Sequence, residues 1–119
     1  MDTVEGCLFC GIVAGDVPAE VVRTDGATVA FRDINPAAPV HVLVVPRRHI
    51  TNASTVTAED AADVAALLVA GKAVADAEGI GSEDRGYRLV FNVGPDALNS
   101  VPHLHLHVLG GRSFDWPPG

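Results

Sequence analysis

The stretch His103-Leu104-His105-Leu106-His107-Val108-Leu109 alternates polar and apolar residues without a break. On a β-strand successive side chains point to opposite faces. The alternation predicts a strand with His103, His105 and His107 on one face and Leu104, Leu106 and Val108 turned to a core. Three of the chain's five histidines lie here. Core strands favour apolar side chains, and an exposed strand seldom requires three titratable rings, so the pattern points to chemistry rather than packing. Two chemistries fit. Neutral imidazoles can gather as metal ligands, or one ring can attack while its neighbour carries a proton. Spacing does not choose between them.

Working outward, Val21 to Arg23 and Thr28 to Phe31 read as strands around Asp25-Gly26, a strong hairpin signal. Val40 to Val45 is a β-branched strand bounded by Pro39 and Pro46, and Tyr87 to Val93 adds another. One long helix starts at Thr57 with Asp60 three residues on, as in a capping box. It carries Val64, Leu67, Leu68 and Val74 at helical spacing and stops at Gly79. Cys7 to Ala14 has room for two helical turns, closed by Gly15-Asp16-Val17-Pro18. Too few crossover helices remain for a parallel sheet. The expectation is an antiparallel α+β domain spanning residues 1–119.

Composition narrows the function. The chain has 119 residues, 48% of them hydrophobic, enough for one core and against disorder. Fifteen acids against eight basic residues give a net charge of -7, which argues against gripping a nucleic-acid polymer. A mononucleotide needs only local donors. No apolar run is long enough for a bilayer, and Met1-Asp2-Thr3-Val4-Glu5 has no basic leader. Two cysteines exclude a disulfide framework. The expectation is a cytoplasmic enzyme or binding module without a membrane partner.

The histidine run resembles the signature of the histidine triad (HIT) nucleotide-binding proteins. Phe31-Arg32-Asp33-Ile34-Asn35-Pro36 with Ala38-Pro39-Val40-His41 is similar to the family's nucleoside segment, and Val45-Pro46-Arg47-Arg48-His49-Ile50 to its Pro-Lys-Lys-His-Ile segment. The ending Val108-Leu109-Gly110-Gly111-Arg112, then Trp116-Pro117-Pro118-Gly119, resembles the Hint branch. The resemblance implies the HIT fold: a five-stranded antiparallel meander sheet with one long helix and a short N-terminal helix. It also implies a homodimer whose tail reaches toward the partner's site.

For function, the resemblance implies hydrolysis of purine nucleoside 5'-monophosphoramidates, and in some members of aminoacyl adenylates, through a nucleotidyl-histidine. His105 matches the nucleophile and His107 a phosphate contact. His41 matches a histidine packed beside the triad, and Ser100 a serine near the leaving group. By spacing alone His41 would read as a core histidine. Asp33 matches the acid that accepts from ribose hydroxyls, although on its own it reads as a turn residue before Asn35-Pro36. Phe9, Ile12, Phe31, Ile34 and Leu43 match residues enclosing the base and could equally be plain core. Asn92 matches an asparagine near ribose and phosphate, and Trp116 belongs to the tail.

Cys7-Leu8-Phe9-Cys10 has the C-x-x-C spacing of metal and redox sites, and no thioredoxin-like βαβ context follows it. A structural zinc takes four tetrahedral N/S ligands. Bacterial relatives with this motif imply a zinc on Cys7, Cys10, His49 and His103, with no organic cofactor. The chain departs from the Hint pattern between Asn92 and the triad. Ala97 and Leu98 stand where two glycines are usual, and Pro102 replaces a bulkier residue. That departure bears on the phosphate loop, the rate and the leaving-group preference. Two rival readings are a dinucleoside polyphosphate hydrolase of the Fhit type and a non-catalytic, zinc-stabilised nucleotide-binding module.

Overall fold

The β-branched run Val40–Pro46 forms β3, the strand buried along almost its whole length. The computed structural model describes residues 3–119. Met1 and Asp2, part of the start from which the lack of a basic leader was read, lie outside the described residues. Upstream of β3 are α1 (Leu8–Ala14), β1 (Val21–Thr24) and β2 (Thr28–Arg32). Downstream are α2 (Ala61–Ala77), β4 (Tyr87–Val90) and β5 (Leu106–Gly110). The five strands make one antiparallel sheet in the order β1-β2-β3-β5-β4. The chain meanders strictly through β1, β2 and β3. After α2 it forms β4 at the far edge and returns as β5 between β4 and β3. Among the described residues no helix is long and apolar enough to cross a membrane.

The turn between β1 and β2 is held by Asp25, whose Oδ1 accepts from the N–H groups of Ala27 and Thr28 at 2.8 and 2.7 Å. Ahead of α2, the Thr57 N–H donates to Asp60 Oδ2 at 2.9 Å and a short 3₁₀ turn, Ala58–Asp60, leads into the helix. At its far end Gly79 adopts φ +77°. There Gly79 N–H reaches Asp76 O and Ile80 N–H reaches Ala75 O, the paired bonds of a Schellman stop.

The two faces of the sheet are unlike. Val42, Val44, Leu106 and Val108 pack beneath α2 against Leu67, Ala70, Val74 and Ala75. Gly71 lets the helix approach closely, since a Cβ there would lie 3.1 Å from Leu106. This contact through small residues corrects the expected helical stripe: Leu68 is 45% exposed and faces away. On the opposite face Val29, Phe31, Leu43 and Val45 pack against Phe9 of α1. That face also carries the histidines.

Two expected strands are shorter than the alternation suggests. β5 begins at Leu106, not His103, and β4 ends at Val90, not Val93. The Leu104 N–H leaves the ladder to donate to Ile50 O at 2.6 Å, as the chain diverts to bring His103 toward the cysteines. Side-chain alternation outlasts the ladder: Leu104 still joins Leu106 and Val108 in the α2-side core.

Candidate functional site

The histidine segment serves two adjacent clusters. At its N-terminal end is His103, with no exposed surface. Its Nδ1 lies 3.4 Å from both Cys7 Sγ and Cys10 Sγ, and Cys10 Sγ lies 3.3 Å from His49 Nδ1. The four ligand atoms are all within 4.8 Å of one another. Bonds of ordinary zinc length in a tetrahedron give S···N edges of about 3.5 Å, so this donor set fits such an ion. Cys7 caps α1 and its Sγ accepts from the Cys10 N–H, so the helix start itself sets the cysteine spacing. His49 follows β3 on a loop tied to the start of α2 by Arg48, which pairs with Asp60 and Asp63.

His103 Nε2–H donates to Pro46 O at 3.0 Å, which leaves the Nδ1 lone pair facing the sulfurs. Burial pushes the His103 pKa down; the rings of His49 and His105 add to this, and the Pro46 carbonyl opposes it. Burial also pushes the Cys10 thiol up, against a bond from the Val4 N–H. A neutral imidazole is the ligand form; the thiols would give up their protons to a bound cation.

The second cluster begins two residues on. His105 Nδ1–H donates to the carbonyl of His103 at 2.7 Å, so its Nε2 is the nitrogen left with a free lone pair. The His107 ring centroid lies 5.0 Å from that of His105. Its tautomer follows from a relay. The Ala37 N–H donates to His41 Nδ1 at 3.0 Å, so the His41 proton sits on Nε2, 2.8 Å from His107 Nδ1. His107 therefore carries its own proton on Nε2. Asn92 Nδ2 is 3.4 Å from that nitrogen; a flip of the amide puts Oδ1 there instead, to accept from the His107 Nε2–H.

Burial lowers the His107 pKa to about 4, with help from His105 and His41. Burial also lowers that of His41, outweighing Asp33, whose Oδ2 is 3.4 Å from His41 Nε2. The contact therefore joins a neutral ring to a carboxylate. Asp33 also holds its turn, accepting from the Asn35 N–H at 2.9 Å. The turn role and a place in the site coexist.

Both His105 and His107 open on a cavity of about 420 Å³, within the range of small-molecule sites. Phe9, Ile12, Phe31, Ile34 and Leu43 line it from α1, β2 and β3 and the segments beside them. Asp33, Asn92 and Ser100 supply polar groups. Trp116 does not line this cavity and is 82% exposed. Leu8, Val17, Pro18 and Ala19 were missed by the sequence reading. Leu8 lines the cavity from the first turn of α1, and the other three because the segment after α1 folds back, for which short apolar residues give no signal. Phe9 joins the two clusters, its ring 5.1 Å from His105, 6.0 Å from His103 and 5.3 Å from Phe31.

The chain is similar to known proteins along nearly its whole length. The chain is 46% identical over 115 residues to a HIT-like protein of Synechococcus elongatus, covering 97% of this chain and 98% of that one. A HIT family hydrolase from Legionella pneumophila superposes with a TM-score of 0.91 at 47% identity, covering 96% of this chain and all of the other. A zinc-bound histidine triad family protein from Mycobacterium smegmatis superposes with a TM-score of 0.75 at 30% identity, covering 93% and 78%. The HIT domain family matches residues 14–114, and with relatives this close over nearly its whole length the chain belongs to that family.

Proposed function

We propose that the protein is a hydrolase of purine nucleoside 5'-monophosphoramidates, and by the same chemistry of aminoacyl adenylates. The observation that carries this reading is the 2.7 Å bond from His105 Nδ1–H to the His103 carbonyl, which leaves Nε2 as a nucleophile facing the cavity. Nε2 attacks the α-phosphorus, the P–N bond breaks, and its electron pair leaves with the amine. We assign to the Ser100 hydroxyl the relay of the amine's proton: it passes one proton to the departing nitrogen as it takes one from solvent at the cavity mouth, and so stays neutral. Water then attacks phosphorus, the P–Nε2 bond breaks, and the proton lost by water returns to solvent. Splitting one displacement into two lowers each barrier. When a nucleotide binds, neutral His107 turns its Nε2–H from the Asn92 amide to the phosphoryl oxygens, supporting them as charge builds and freeing Asn92 for the ligand. Asp33 accepts from the ribose hydroxyls, Asn92 steadies ribose and phosphate, and the apolar wall of Phe9, Ile12, Phe31, Ile34 and Leu43 takes the base.

Cys7, Cys10, His49 and His103 would hold a structural zinc that cross-links α1, the loop after β3 and the entry to β5. The reducing cytoplasm keeps those thiols available. We further read the chain as a homodimer joined along the exposed edge of β4, where Leu89 lies open, as does Val93 just beyond the strand, with Trp116 contributed to the partner's site. The test is to mix the protein with adenosine 5'-phosphoramidate and quench in the cold. AMP release with a nucleotidyl adduct on the His105 peptide is expected. Faster cleavage of diadenosine polyphosphate would favour the Fhit-type reading. Tight AMP binding without turnover would leave only a binding module.

A further inference from the structure

The connector between β4 and β5 is both the point of departure from the family pattern and a point of backbone strain. Pro95–Ala97 form a single 3₁₀ turn, closed by Leu98 N–H to Pro95 O at 3.0 Å and Asn99 N–H to Gly94 O at 3.1 Å. The closure puts residue 98 in the left-handed region, at φ 59° and ψ 32°. Among the described residues every other positive-φ position is a glycine. A branched side chain is disfavoured there because its Cβ crowds the carbonyl oxygen. Burial could offset the strain, yet Leu98 is 85% exposed. Within one chain, neither backbone nor packing accounts for a leucine.

What Leu98 does reach is the cavity. It lines it together with Ser100 and Val101 of the same connector, beside His105 and His107. The base-enclosing wall comes instead from α1, β2 and β3. If the nucleoside fills the α1 side, the connector borders the group departing from phosphorus, and Leu98 stands two residues from Ser100.

We propose that Leu98 is a specificity-determining residue, presenting apolar surface to the leaving amine and favouring phosphoramidates of alkyl or aryl amines over those of small hydroxylated amines. The inference rests on the phosphoramidase reading. An apolar amine seated on Leu98 removes water from both surfaces. The turn fixes the backbone of residue 98 at the cavity mouth before substrate arrives, so only the side chain has to be ordered on binding.

The experiment compares kcat/KM for the benzylamine and ethanolamine phosphoramidates of adenosine 5'-monophosphate in wild type, L98G and L98M. The benzylamine-to-ethanolamine ratio is expected to exceed one in wild type, to fall about three- to tenfold in L98G, and to return in L98M. The L98G melting temperature should hold or rise, because glycine relieves the strain. A merely structural role would move both substrates alike, and an unchanged ratio in L98G overturns the assignment. Binding of AMP and of a non-hydrolysable benzyl phosphonate analogue separates this idea from the one beneath it. If wild type turns over neither substrate yet prefers the benzyl analogue, and L98G abolishes that preference, the phosphoramidase reading fails and Leu98 keeps its role. Absence of both turnover and preference overturns the two together.

Discussion

His103 and His105 are two residues apart, on the same segment, and use opposite nitrogens. His103 gives its Nε2 proton to the Pro46 carbonyl and points Nδ1 at two sulfurs. His105 gives its Nδ1 proton to the His103 carbonyl and leaves Nε2 toward the cavity. The side chains are chemically identical. The nitrogen that a backbone carbonyl occupies decides which nitrogen is left free, and with it which of the two proposed roles, holding a cation or attacking, a ring can take. The two are also chained, because the carbonyl that orients the second belongs to the first.

The contrast breaks most sharply at His105. His105→Ala is expected to lower turnover on the order of 10⁴-fold or more, with AMP affinity and metal content nearly unchanged. Turnover within tenfold of wild type would remove His105 from the nucleophile role. Next is the other cluster. Cys10→Ser is expected to abolish metal retention in elemental analysis and to lower the melting temperature on the order of 10 °C. The fraction that stays folded should keep turnover within about tenfold; a loss as deep as that of His105→Ala would show that the two ends are one machine.

The smallest effect is a pH slope. His107 is held neutral down to about 4 in the folded protein, whereas an unfolded histidine takes up a proton near 6.5. Between these values the unfolded state binds more protons, so stability falls as pH drops from about 6.5 toward 4, by up to about 1.4 kcal/mol per pH unit. His41, depressed in the same direction, adds to the slope. Urea unfolding at pH 7 and pH 5 should show the loss, and His107→Gln should flatten it. Equal slopes in the two proteins would mean that His107 is not kept uncharged by the fold.

Much of this was legible in the residues. Period-two alternation gave the face assignment of Leu104, Leu106 and Val108, and Gly79 marked the end of α2, because both signals are local. The early departure of Leu104 from the ladder was not legible, since its acceptor, the Ile50 carbonyl, is distant in sequence. The outward turn of Leu68 was hidden because the tightest helix–sheet contact uses Gly71 and alanines rather than large apolar residues. The C-x-x-C motif suggested a metal, yet its spacing could not name His49 and His103. The relay from Ala37 through His41 to His107 left no sequence signal, because its first donor is a main-chain N–H.

Phe9 sits between the two cysteines in sequence and touches imidazoles of both clusters in space. The ring ties the two ends mechanically. Play at the cysteine end would reach the neighbouring imidazole as a small change of aim, so stiffness at one cluster is lent to the other.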